Sequence, residues 1–451
     1  MVGDPTVVGT KAVLSKGVLK RFAINVASLF SVHVANMLLP LLTVPYVVRI
    51  IGPERLGLLN FSMAFVAYFT LLINYGFEMA AVRAIAADRT NKALVNRVFS
   101  EVLTGKALLF GLSTIIFGLV VYFSPEFRAH WWLHVCTYLS CVGVVLFPIW
   151  LFQAMEDMGR VAVFNLLVKL LFTASVFLLI RQPDDYIYQN LSISIAQVLA
   201  SVVALVVAVR RFKVTYQLPT VAELMKRFRD DSTLFFSSVM ITLYAGSAMV
   251  LLGLFSTPYN VGIFSAGTRI EGIARAFVSM ALNQAFFPIV ANAFGKSREQ
   301  GLKVVQITFF PLFILMVVVA IGLWIIAPVF ITLFYGNKFQ DAILVLRIVS
   351  LLPIAIGISN LLGFHTMLNL KMDRAFFVIT ALGSVVGLIA NTLLIKQMGY
   401  TGAACAWVLA EVWITISMFI YLRYKGVQVI NFQYMKEAIT FSKTRLNTLF
   451  R

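Results

Sequence analysis

The chain has 451 residues, 60% of them hydrophobic and only 12% charged, with mean hydropathy +0.91. A soluble globular chain carries about 25% charged residues, so this composition excludes one and implies a polytopic membrane protein. The net charge of +18 is not read as a nucleic-acid footprint, because the basic residues fall in the connections between apolar segments.

At the N-terminus, Lys11, Lys16, Lys20 and Arg21 precede a long apolar span with no Ala-x-Ala site, the pattern of a non-cleaved anchor behind a short basic tail. Apolar segments of spanning length follow at 22–48, 57–80, 102–123, 131–154, 161–180, 190–209, 233–255, 262–290, 304–334, 342–369, 375–395 and 402–422. The first, with Pro40 and Pro45, and the ninth, with Pro311 and Pro328, are long enough to tilt or kink. With the N-terminus inside, the inside connections hold 26 of the 37 Lys and Arg residues and the outside ones 6. That asymmetry places both termini in the cytoplasm. Cys136, Cys141 and Cys405 have no metal-ligand or disulfide spacing and read as buried small residues.

The longest inside connection follows the sixth span and divides the chain into tail 1–21, six-span half 22–209, linker 210–232, six-span half 233–422 and basic tail 423–451. From Asn431 on, that tail reads as an interfacial helix or a solvated segment. The halves echo each other. Gly52-Pro53-Glu54-Arg55-Leu56-Gly57 and Thr257-Pro258-Tyr259-Asn260-Val261-Gly262 share a Pro-x-x-x-Gly spacing, and Met155 to Arg160 answers Lys371 to Arg374. Six spans per half keep both copies in one orientation, which is a parallel repeat about the membrane normal, as in alternating-access carriers. The expected fold is all-α, with about twelve transmembrane helices.

The eighth span, 262–290, carries Arg269, Glu271 and Arg275. Arg275 falls ~20 Å along a helix starting at Gly262, inside a hydrocarbon core of ~30 Å. An Arg there costs at least ~2.5 kcal/mol unless it faces protein or water, so this helix is expected to line a cavity. Gly272, Ala276, Ser279 and Asn283 share the Arg269 side, while Glu271 and Arg275 are i,i+4 partners. The readings are a structural ion-pair knot or an anion-binding cavity. In the first span Asn25, Ser28 and Asn36 lie near one face, and His33 reads as a packed polar residue. Asn60, Asn74, Glu78 and Arg83 recur in the second span, the last two as snorkelling interfacial charges. Arg49 and Arg55 sit at the outer mouth, Lys169 lies mid-span in the fifth segment, and Glu411 is a lone carboxylate in the twelfth. Glu271, Arg49, Glu78, Arg83 and Glu411 are thus gating or ion-pair candidates. There is no ATP-binding Gly-rich loop, HExxH or Gly-x-Ser-x-Gly, and no metal or cofactor is expected. Asp184-Asp185 invites comparison with a membrane glycosyltransferase or polymerase using lipid-linked sugar, but QPDDY reads more simply as a solvated turn.

PLLTVPYVVRIIGPERLGLLNFS (40–62), NYGFEMAAVRAIA (74–86), WLFQAMEDMGRVAVFNLLVKLL (150–171) and PYNVGIFSAGTRI (258–270) resemble bacterial polysaccharide flippases of the Wzx type. These belong to the multidrug/oligosaccharidyl-lipid/polysaccharide exporter superfamily. The resemblance implies two six-helix lobes around a central cavity in the bacterial inner membrane. It also implies an O-antigen or exopolysaccharide repeat unit on undecaprenyl pyrophosphate as cargo, moved to the periplasmic leaflet, with a polymerase and chain-length proteins as candidate partners. On that reading Arg269 and Arg275, supported by Lys169, meet the pyrophosphate, and Asn36, Asn74, Ser279 and Asn283 meet sugar. A cation-coupled multidrug antiporter of the same superfamily is the alternative, but its acidic cavity contrasts with the basic charges here.

Overall fold

The computed structural model describes residues 16–431, and their side chains except at 16–38, 40–42, 237, 240–245, 277–285 and 287–288. The described residues form helices joined by short connections, without strands. In order they form α1 (Lys16–Asn74), α2 (Phe77–Ala87), α3 (Lys92–Phe123), α4 (Pro125–Arg128), α5 (Trp131–Tyr138), α6 (Ser140–Leu146), α7 (Ile149–Ala154) and α8 (Met158–Leu179). There follow α9 (Ile187–Phe212), α10 (Val221–Phe255), α11 (Pro258–Lys296), α12 (Arg298–Phe334), α13 (Ala342–Val349), α14 (Leu352–Asn360) and α15 (Asp373–Tyr424). Among the described residues, 8 stretches are long and apolar enough to cross a membrane by length and composition. The tail from residue 432 lies outside the described residues, as do residues 1–15.

Helix ends follow local chemistry. The Asn91 side chain accepts from Leu94 N at 3.0 Å to start α3, and Thr220 and Glu223 form a reciprocal capping box at α10. Inside α1 the prolines cause no break. The helix runs through Pro40 and Pro45, and its one non-helical residue is Gly52 (φ 75°), a conformation that glycine adopts without strain. α15 breaks likewise at Gly399 (φ 56°), and α12 contains both Pro311 and Pro328.

The echo between residues 155–160 and 371–374 has a backbone cause. Glu156 and Lys371 both take φ 57°. Asp157 N donates to Phe152 O and Met372 N to Met367 O, each at 2.9 Å, while Glu156 N and Lys371 N close the inner bonds to Gln153 O and Leu368 O. Both helices therefore end in the same Schellman turn, in each case with a side-chain-bearing residue where glycine is usual.

The core divides into three clusters. One runs across both halves of the sequence, from Val47 and Phe61 through Leu252 and Ile263 to Phe339 and Ala404. The buried residues of the second all lie within 77–214, with Phe228 of α10 packed against them, and those of the third all lie within 290–429. The halves thus share a core at the end carrying the 52–57 and 257–262 turns and have separate cores towards the end where α2, α10 and α12 meet basic connections. At the shared end the two Pro-x-x-x-Gly turns meet reciprocally. A Cβ on Gly57 would lie 1.7 Å from Pro258 O, and one on Gly262 would lie 1.9 Å from Pro53 O.

Candidate functional site

Thr257 caps α11 by accepting from Asn260 N at 3.3 Å, and Pro258 fills the first helical position. The next turns are packed solid: every residue from Val261 to Thr268 is buried, as are Ile270 and Glu271. Arg269 alone in that run is exposed. It lines a cavity of about 280 Å³ with Val44, Val48 and Asn60 of α1, Met249 of α10, Ser265 and Thr268 of α11, Tyr335, and Trp407 of α15. Asn60 Nδ2 donates to Ser265 Oγ at 2.9 Å, tying the two helices together across the cavity wall. Among the described residues no carboxylate pairs with Arg269. The cavity therefore presents one guanidinium among hydroxyl, amide and aromatic groups.

Six residues further along, Arg275 Nε donates to Glu271 Oε1 at 2.9 Å. The carboxylate is fully buried (0%), whereas the guanidinium is 34% exposed and stands 5.6 Å from the Trp407 ring centroid. Trp407 thus has Arg275 against it and also walls the Arg269 cavity. Glu271 Oε2 has no hydrogen-bond partner. Buried Glu411, one helical turn beyond Trp407 on α15, lies within electrostatic reach of Glu271. The i,i+4 pair spends one face of Arg275 and leaves its terminal nitrogens available to an anion.

This site belongs to a chain with informative relatives. A family model described as "Polysaccharide biosynthesis protein" matches residues 22–294. The chain belongs to that family. It is 28% identical over 402 residues to the "Putative O-antigen transporter" of Escherichia coli (strain K12), covering 88% of this chain and 96% of that one. Its fold is similar to that of a multidrug resistance MATE family transporter of the MOP superfamily in its inward-facing conformation (TM-score 0.68, 16% identity, covering 86% of this chain and 94% of that one). It is also similar to the lipid II flippase MurJ in an inward closed conformation (TM-score 0.65, 12% identity, covering 95% and 92%).

The remaining candidate residues in this polysaccharide-family chain have several different surroundings. Asn36, Ser279 and Asn283 have side chains outside the described residues. Lys169 is half-buried on α8 and is not among the residues walling the Arg269 cavity. Asn74 ends α1 half-buried, with Oδ1 unpartnered. Arg49 donates to the Leu333 carbonyl, joining α1 to α12, and Arg55 pairs with Asp184 at 2.6 Å. Glu78, one of the gating or ion-pair candidates, is 34% exposed and sits in an ion pair. Its carboxylate binds Lys106 Nζ at 2.8 Å, and Lys106 is 1% exposed and also donates to Val144 O. A buried ammonium drew the carboxylate inward, while Arg83 stayed exposed. Lys106, Tyr335 and Trp407 were not singled out by the sequence. The one available signal was Trp407, four residues before Glu411 on a helical face.

Proposed function

We propose that this chain is a flippase that carries lipid-linked oligosaccharide, with an undecaprenyl-pyrophosphate-type anchor, from the cytoplasmic to the periplasmic leaflet of the bacterial inner membrane by alternating access. The observation that carries the reading is Arg269: a guanidinium with no carboxylate partner among the described residues, in a walled cavity, on a helix that holds a second guanidinium one to two turns away. A diphosphate matches two such forks, and the Asn60, Ser265 and Thr268 polar groups match sugar hydroxyls. The polyprenyl chain stays in lipid. Two six-helix lobes, pivoting about the reciprocal Gly57 and Gly262 contact, supply the motion. At about 280 Å³ the cavity is smaller than the ~300–1,000 Å³ that holds a drug-sized ligand, so the head group enters only when the lobes part.

The test is export complementation with an O-antigen or exopolysaccharide reporter, with a drug-efflux assay run alongside. Arg269→Ala and Arg275→Ala are expected to lower export by about a hundredfold, the worth of a charge-assisted contact pair. The Lys variants should retain more, with membrane insertion unchanged. Full export by a well-inserted Arg269→Ala protein removes Arg269 from the path, and drug efflux without export overturns the proposal.

A further inference from the structure

Residues 335–341 join α12 to α13, and both of these helices belong to stretches apolar enough to cross a membrane. The connection therefore marks a membrane boundary, and α13 runs inward from it. Arg347 lies five residues into α13, ~8 Å along the axis from Ala342. An arginine at that depth is expensive unless something answers its charge. One side of α13 is packed: Ala342, Val345, Leu346 and Val349 are buried, with Val345 against Gly267 of α11. Arg347 stands off that side, half-buried, and shares a helical face with exposed Leu344 and Leu351.

Its neighbour across the helix pair is Trp324 of α12, whose ring centroid lies 4.4 Å from the guanidinium carbon. No carboxylate pairs with Arg347 among the described residues, and its Nε is buried without a hydrogen-bond partner. Asp341, the nearest acidic residue in sequence, instead accepts from the Tyr259 hydroxyl at 2.9 Å. Trp324 is itself exposed, as are Ile321 and Ile325 beside it. The outer surface of α12 and α13 is thus an apolar, lipid-facing strip broken by a cation.

Stacking on indole spends the face of the guanidinium and leaves its edge, where the N–H donors form a fork. Side chains on a helix lean towards its N-terminus, which here is the boundary side. The fork is therefore offered to a head group and not to the middle of an acyl chain. A soluble anion would have to cross acyl chains to arrive, and a neutral lipid would leave the charge unanswered. A phosphate carried on a fatty chain meets both conditions.

We propose that Arg347 and Trp324 bind a membrane phospholipid, its phosphate on the guanidinium edge and an acyl chain along Leu351 and Ile321. The bound lipid staples α12 to α13 beside Tyr335, which walls the Arg269 cavity.

The full-length protein in neutral detergent is offered phosphatidylglycerol or the phosphate-free monogalactosyl diacylglycerol, with matched chains, and followed by native mass spectrometry and thermal melting. Phosphatidylglycerol is expected to be retained about tenfold more strongly, one decade of affinity, and to raise the melting temperature. Arg347→Leu should lose that preference and still bind undecaprenyl diphosphate as the wild type does. Equal retention of the two lipids by the wild-type protein overturns the proposal, and so does full preference in Arg347→Leu. An equal melting shift with glycerol 3-phosphate would mark a site open to soluble phosphate and also overturns it. Loss of undecaprenyl diphosphate binding in Arg347→Leu, with phosphatidylglycerol retained, would place Arg347 on the cargo path instead. Should Arg347→Leu fail to insert, Trp324→Leu must lower phosphatidylglycerol retention, and unchanged retention there counts against the site.

Discussion

Single residues in this chain differ in how far they announce themselves. Arg269, Glu271 and Arg275 stand out because three charges interrupt a 29-residue apolar run, and the i,i+4 order of the last two foretold their 2.9 Å pair. Lys106 falls within the third apolar segment, yet its partner lies 28 residues away on another helix, a distance no local spacing reveals. Tyr335 and Trp407 were invisible for a different reason. Among 15 tyrosines, 6 tryptophans and 39 phenylalanines, the sequence offers no mark for the two that wall a cavity. The Glu78–Lys106 pair gives a prediction of its own. Lys106 is 1% exposed and Glu78 34%, so removing the acid strands a buried ammonium, whereas removing the base leaves a carboxylate that water still reaches. Glu78→Ala is therefore expected to cost about 3 kcal/mol and Lys106→Met clearly less, with the double variant recovering most of the loss. Thermal melting in a fixed detergent checks the order, and equal losses from the two single variants would refute it.

At the level of elements, the expected apolar runs fall on helices, because runs of spanning length are hard to mistake. The break in α1 falls at Gly52, inside the Gly52–Gly57 turn read as joining the first two spans, where positive φ would cost a Cβ-bearing residue more. The Pro-x-x-x-Gly echo was legible as a spacing but not as a contact. Only the coordinates show each glycine seated against the other turn's proline carbonyl, 1.7 and 1.9 Å from where a Cβ would stand. No side chain fits there, so Gly57→Val must push the turns apart. Spin labels at Glu54→Cys and Thr257→Cys, in a background lacking Cys136, Cys141 and Cys405, should report a longer distance in Gly57→Val. Gly111→Ala, where a Cβ meets nothing within 4 Å, should leave that distance unchanged. An unaltered distribution in a folded Gly57→Val protein would show that the turns are not a closure.

The whole molecule is a matter of how the helices are grouped. Charge alone suggests a division of the sequence at 210–232, a stretch in which α9 ends at Phe212 and α10 begins at Val221. Which ends of the helices share a core was not legible, since each span is mainly apolar at both of its ends. The linker helix is also clamped to the first half by a cluster hidden from the sequence: Arg227 Nε meets Asp231 at 2.7 Å, with Glu101 of α3 at 3.8 Å from Nη1. Arg227 is 11% exposed and its carboxylates no more so. Arg227→Ala is expected to destabilise by about 3 kcal/mol or more by stranding two anions, and proteolysis of the 213–220 connection should quicken; unchanged cleavage would show that the clamp does not hold the linker. The unequal division of the core has a further consequence for turnover. Parting the halves at the turn-bearing end must expose side chains such as Leu59, Phe61 and Ile263, all at most 6% exposed at present, whereas at the opposite end no buried hydrophobic cluster of the described residues spans both halves, which meet there through Tyr75 stacked on Phe235 and Arg227 against Glu101. An idle carrier should then wait with its loading door open, and the costly swing falls to the step in which cargo is aboard to help drive it. The same spin-label pair reads this out: unloaded wild-type protein should populate the short distance, and a dominant long one would mean that the empty carrier rests the other way round.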